Sequence, residues 1–159
     1  MNTIKVRDIE IGAGAPKIIV PIVGVTKDDI IAEAKTFDSI PVDMVEWRVD
    51  WYEDIFDFAK TEATMQALRE VIGEMPILFT FRTSKEGGEK AIETGAYVEL
   101  NQNAAKTGLI DLVDVEAFTG DEAVKAVVET AHANGVKVIA SNHDFHKTPA
   151  LSLIHISEP

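Results

Sequence analysis

No cysteine occurs in the 159 residues, which removes a disulfide framework and a thiolate nucleophile from consideration. Cations are scarce as well: 15 Lys and Arg face 27 Asp and Glu, for a net charge of −12. Phosphate contacts need clustered Lys and Arg, so the balance argues against nucleic acid and against an anionic membrane as partners. It does not forbid a few arginines on converging loops from holding an anionic metabolite. No apolar run is long enough to span a bilayer. The opening Met1-Asn2-Thr3-Ile4-Lys5-Val6 lacks the apolar stretch and small-residue cleavage site of a signal peptide. A cytoplasmic protein fits these absences. What remains is ordinary for a globular domain, with 46% hydrophobic and 26% charged residues.

Short apolar runs alternate with amphipathic stretches. Ile18 to Val23 reads as a strand buried on both faces, and Thr26 can cap a helix over 27–37. Strands are expected at 43–48, 76–82, 109–116 and 136–141, with helices at 61–72, 89–106 and 121–133 between them. Strands separated by helices of this length require right-handed crossovers and a parallel sheet. No Gly-x-Gly-x-x-Gly follows the first strand, which disfavours a dinucleotide-binding fold. The expected fold is therefore α/β, a (β/α)8 barrel, of which this chain supplies about five strands where ~250 residues are usual. Ile4 to Ile11 is expected to form a small hairpin over the barrel bottom.

Polar residues recur at the C-terminal ends of these strands, the barrel face that carries active sites. Residues two apart share a face, so Glu46 goes with Arg48, Thr80 with Arg82, Asp114 with Glu116 and Ser141 with His143. Four strands thus each aim two polar groups at one mouth. Plainer readings exist for each. Glu46 and Arg48 can form an ion pair within the rim, Arg82 can be a solvated strand end, and Glu86 a loop charge. Asp114 and Glu116 can serve to balance the arginines. Gly87 and Gly88 either let backbone approach a ligand or make a turn. His132 and His146 read as surface or loop residues, whereas His143 follows a buried strand, where an imidazole can act as acid or base.

Three segments narrow the choice: Glu46-Trp47-Arg48-Val49-Asp50, Phe79-Thr80-Phe81-Arg82-Thr83-Ser84-Lys85-Glu86-Gly87-Gly88, and Ser141-Asn142-His143-Asp144-Phe145-His146-Lys147-Thr148-Pro149. In order and spacing they resemble the signature segments of type I 3-dehydroquinate dehydratase. Residues 14–18 and 116–121 are also similar, so the resemblance runs from about residue 3 to about 150. It implies a barrel of the class I aldolase type and a lyase of the shikimate pathway to aromatic amino acids, acting on 3-dehydroquinate. Its chemistry passes through a lysine Schiff base, with no metal and no organic cofactor. Carried over by position, His143 is the proton-transfer residue and Glu86 the carboxylate that orients it, while Glu46, Arg48 and Arg82 hold the substrate. The full-length family member is expected as a homodimer. Pro21 departs from the pattern, standing where some family members carry a serine.

The family's imine-forming lysine falls beyond residue 150 and is absent from this chain; neither Lys137 nor Lys147 matches its motif. Residues 1–150 therefore read as a partial catalytic barrel, inactive by itself. The last nine residues, Leu151 to Pro159, abandon the family pattern and resemble the in-frame translation of a transposase-type sequencing adapter, a non-native tail. Two other functional classes stand beside the lyase. One is a metal-dependent barrel using His143 with Glu46, Asp114 or Glu116. The other is a non-catalytic module binding an anionic metabolite through Arg48 and Arg82.

Overall fold

The alternating pattern becomes a parallel sheet with helices on its outer face. The computed structural model describes residues 3–148, so the adapter-like segment 151–159 lies outside the described residues. An antiparallel hairpin of β1 (Ile4–Val6) and β2 (Ile9–Ile11) comes first. It is followed by β3 (Ile19–Ile22), α1 (Lys27–Lys35), β4 (Met44–Arg48), α2 (Phe58–Ile72), β5 (Ile77–Thr80), α3 (Thr94–Lys106), β6 (Leu112–Glu116), α4 (Asp121–Ala133) and β7 (Lys137–Ser141). Spatial order in the sheet is β3-β4-β5-β6-β7, every pair parallel. Strands that add in chain order with a helix between each pair are five consecutive units of a (β/α)8 barrel.

Period-two alternation sorts each strand between two cores. Outward-facing Val45, Trp47, Ile77, Phe79, Val113 and Val115 pack under Met65 and Leu68 of α2, Leu100 and Ala104 of α3, and Val127 and Ala131 of α4. The Trp47 and Phe79 rings meet edge to face, 5.9 Å apart at 87°. Each large side chain fully buried here contributes roughly 1.5–3 kcal/mol. Inward-facing Met44, Leu78 and Leu112 form a smaller cluster, sealed from below by Val6, Ile9 and Ile11 of the hairpin. Above that apolar layer the inward positions turn polar. Glu46 lies opposite Leu78 and Arg48 opposite Thr80; Glu116 lies opposite Ser141.

Local signals explain most boundaries. Thr26 and Asp29 form a reciprocal capping box that starts α1. Asp57 caps α2, which begins three residues before the expected Thr61 because that cap lies upstream. The largest departure is α3, expected from Glu89 but starting at Thr94. Residues 87–93 are held as loop by tertiary bonds: Ser84 N donates to Lys90 O at 3.0 Å, and Glu89 N donates to the Asp50 carboxylate at 3.1 Å. β5 likewise ends at Thr80, because the Arg82 amide donates to Asp50 instead of a strand neighbour. No helix among the described residues is long and apolar enough to cross a membrane.

Candidate active site at the C-terminal ends of the strands

Arg82, just past β5, is the hub. Its side chain is 7% exposed, and its guanidinium meets Asp114 Oδ1 at 3.0 Å, Glu116 Oε1 at 3.3 Å and Glu86 Oε2 at 3.6 Å. Nη1 also donates to Ser141 Oγ at 2.8 Å, and that hydroxyl donates onward to Asp114 Oδ1 at 2.8 Å. Three strand ends are thereby tied to one cation. Asp114 and Glu116, which read either as ligands or as counter-charges, sit as counter-charges to Arg82.

Glu116 is fully occupied. Oε1 also accepts from Thr83 N at 2.8 Å, and Oε2 accepts from Thr83 Oγ1 at 2.8 Å. Its own amide donates to Tyr97 Oη at 3.0 Å, a phenol that burial pushes far above its ordinary range and so keeps neutral. Burial likewise raises the Asp114 carboxyl, against the opposing pull of Arg82 and Ser141.

Arg48 does not pair with Glu46. Its Nε and Nη2 make a two-pronged contact with the two oxygens of Asp50, each at 2.9 Å. The Asp50 carboxylate holds that guanidinium above its ordinary range. Nη1 of Arg48 and the half-buried Glu46 carboxylate have no protein hydrogen bond among the described residues. The buried Thr80 hydroxyl, opposite Arg48, also has no partner among the described residues.

His143 and Glu86 come from loops 57 residues apart. Nδ1 of His143 lies 3.0 Å from Glu86 Oε2, and the same oxygen accepts from the His143 amide at 2.9 Å. Glu86 is 11% exposed and the imidazole 43%, so the carboxylate is the anchor and the ring the presented end. With Nδ1 turned to a carboxylate, Nε2 is the nitrogen left to exchange a proton. Glu86 sits on a short turn, Ser84–Glu86, closed by Gly87 in the left-handed region at φ +86°. A Cβ on Gly88 would collide with the Arg82 carbonyl, so glycine is what lets this loop lie over the hub.

A cavity of about 380 Å³ opens between the loops after β5, β6 and β7, bounded by Glu86, His143, Tyr97, Thr83 and Phe145. Glu46, Arg48 and Arg82 do not line it; the register puts Glu46 and Arg48 on the inward face of the sheet with Leu78 and Thr80. Among the described residues no three His, Asp or Glu side chains gather in a way that could hold a metal ion. His132 is exposed on α4, and His146 is an exposed loop residue whose amide donates to Asp144.

Asp50 is the site-forming residue that sequence reasoning passed over. The available signal was parity, since Asp50 continues the series Glu46, Arg48 at the same spacing of two.

A family model for type I 3-dehydroquinase matches residues 18–156. The 3-dehydroquinate dehydratase of Listeria monocytogenes serotype 4a is 52% identical over 150 residues, covering 94% of this chain and 60% of the relative. That of Salmonella typhimurium is 49% identical over the same shares. The crystal structure of type I 3-dehydroquinate dehydratase from Clostridium difficile with covalently modified comenic acid superposes with a TM-score of 0.94 at 48% identity, covering 96% of this chain and 60% of that one. The chain thus spans about 60% of the length of these relatives. With five barrel units in order and its sequence matched from Ile18 onward, the chain belongs to the type I 3-dehydroquinase family.

Proposed function

We propose that this chain supplies the proton-transfer half of a lyase that converts 3-dehydroquinate to 3-dehydroshikimate, and that the electrophile comes from a lysine outside it. The observation that carries the reading is the His143–Glu86 pair: one carboxylate oxygen fixes both the ring and the backbone amide of an imidazole at the barrel mouth. In this chemistry a lysine amine condenses with the substrate ketone, expelling water and leaving an iminium. His143 Nε2 takes the proton from the adjacent carbon, and the electron pair moves into the iminium to give an enamine. The enamine then expels the neighbouring hydroxyl, which leaves as water with the proton from His143. Hydrolysis of the resulting conjugated iminium releases the enone and the lysine. The net change is loss of one water.

The charge of the mouth supports a cationic intermediate. Among the described residues, the carboxylates of Glu46, Asp50, Glu86, Asp114 and Glu116 outnumber the guanidinium groups of Arg48 and Arg82 beside them. An iminium formed among them is stabilised where it stands. Arg48 Nη1 and Glu46 are the groups best placed to grip substrate hydroxyls, with Arg82 beside them. Neither metal nor organic cofactor enters, because the lysine itself makes the electron sink. The reading extends to a cytoplasmic homodimer with no nucleic-acid partner. It treats residues 1–150 as a partial catalytic domain and 151–159 as a non-native tail; an authentic stop codon after Pro159 at the source locus would contradict the latter. The 159-residue chain alone is expected to be inactive and poorly soluble, since β3 and β7 each have one unpaired edge among the described residues.

The test is turnover by a full-length barrel, either the uninterrupted gene product or residues 1–148 joined to the C-terminal portion of a relative. Conversion of 3-dehydroquinate to the conjugated enone, followed by ultraviolet absorbance and mass spectrometry, is the expected result. A folded full-length barrel that leaves the substrate unchanged would contradict the reading.

A further inference from the structure

Asp50 is fully buried, and both its carboxylate oxygens are occupied. Oδ1 accepts from Arg48 Nε at 2.9 Å and from the Arg82 amide at 3.3 Å. Oδ2 accepts from Arg48 Nη2 at 2.9 Å and from the Glu89 amide at 3.1 Å. Its own carbonyl accepts from Lys90 Nζ at 2.6 Å, an ammonium that also donates to Tyr52 O at 3.0 Å. One residue therefore joins the end of β4, the end of β5 and the far side of the loop that carries Glu86.

Burying a carboxylate is costly unless charge and hydrogen bonds compensate it. Here the compensating cation is Arg48, a residue whose remaining Nη1 has no protein partner among the described residues. The two-pronged contact fixes the plane of the guanidinium as well as its position. The two amide bonds fix the loop from Arg82 to Glu89, and with it the height of Glu86 under His143. Asp50 itself has no surface to offer a ligand.

We propose that Asp50 is a positioning residue: it sets the pose of Arg48 toward the substrate and holds the Glu86 loop against the strand ends. This rests on the dehydratase reading above. The route through Arg48 separates positioning from simple support of the fold, because it makes the two residues energetically dependent on each other.

The experiment is a double-mutant cycle in the full-length barrel, read as KM and kcat for 3-dehydroquinate. Asp50→Asn keeps the volume but replaces one acceptor oxygen by an NH2 donor, which can accept from neither the Arg48 nitrogen nor the backbone amide at that position. KM is expected to rise about tenfold or more, with a smaller fall in kcat from the loosened Glu86 loop. In an Arg48→Ala background the same change is expected to alter KM less than about twofold. Equal effects in both backgrounds, or an unchanged KM in a folded Asp50→Asn protein, would overturn the proposal. Should Asp50→Asn lose its cooperative thermal transition, Lys90→Met takes its place. Loss of that ammonium is expected to raise KM about threefold, again only when Arg48 is present. An unchanged KM in Lys90→Met would then count against the proposal. An inactive but folded unmutated barrel would instead sink the dehydratase reading and the Asp50 role with it.

Discussion

At the N-terminal end of the sheet, Asp111 gathers two arginines. Arg69 Nη2 reaches Oδ2 at 2.6 Å, Arg7 from the hairpin turn meets Oδ1, and the Ile77 amide donates to Oδ2 at 2.8 Å. At the C-terminal end the roles are reversed, and one arginine, Arg82, gathers Asp114, Glu116 and Glu86. The lower cluster clamps the hairpin, including Arg7 at an unfavourable φ of +48°, over the apolar layer of Met44, Leu78 and Leu112. Its two guanidinium groups, Arg7 and Arg69, are balanced by two carboxylates, Asp111 and Glu74. The upper cluster has more carboxylate than it needs for its own cations, and His143, Glu46 and Arg48 keep part of their surface open. The same guanidinium–carboxylate chemistry thus closes one end of the strands and equips the other. The carboxylate excess, rather than the ion pairs themselves, sets the upper end apart as the one proposed to act on a substrate.

The sharpest way to break this contrast is to substitute at each end and ask which property moves. His143→Ala in the full-length barrel is expected to lower kcat by about a thousandfold, in the range of general acid–base catalysis, with the thermal midpoint nearly unchanged. A large stability loss with kcat retained would assign His143 to the fold. Asp111→Ala should do the reverse. It strands Arg69 and the Ile77 amide in a part-buried site, and a loss of about 2–3 kcal/mol is expected in denaturant unfolding. Molecules still folded should keep normal kcat and KM. Altered kinetics there would mean that the two ends are coupled.

A smaller effect sharpens the electrostatic side. Burial raises the folded-state value of the Asp114 carboxyl above its ordinary range. The folded state therefore holds that proton more tightly than the unfolded chain. The stabilising difference is present at low pH and is lost as pH climbs from the ordinary carboxylate range through the raised folded value. Asp114→Asn keeps an oxygen for Ser141 Oγ and Arg82 Nη2 but cannot ionise. Relative to the unmutated barrel its stability is expected to improve as pH rises through that window, measured by denaturant unfolding at a series of pH values. A pH-independent difference would show that Asp114 is not raised.

The comparison also explains what could be read in advance. Short apolar runs were enough to place the five strands, but Ile18 to Val23 is not buried on both faces as expected: Ile18, Ile19 and Val23 are exposed, because β3 is an edge of the sheet among the described residues. Parity likewise grouped Asp114 with Glu116 and carried Arg82 to the same mouth. It could not say that Arg48 turns to Asp50 instead of Glu46, because that choice depends on the Arg82 and Glu89 amides arriving from another strand. For the same reason the start of α3 was misplaced: Glu89 and Lys90 are good helix formers held in a loop by bonds to residues about 40 positions earlier. The pairing of His143 with Glu86 spans 57 residues and came from family resemblance, not from local pattern.

The proposed division of labour puts the proton-transfer residues on this chain and the imine-forming lysine elsewhere. Borohydride trapping with 3-dehydroquinate, read by intact mass and peptide mapping, tests it most directly. A reduced adduct is expected on the full-length barrel at a lysine beyond residue 150, and none on the 159-residue chain. An adduct on Lys137, Lys147 or any other lysine of this chain would contradict it, as would a folded, active full-length barrel that cannot be trapped.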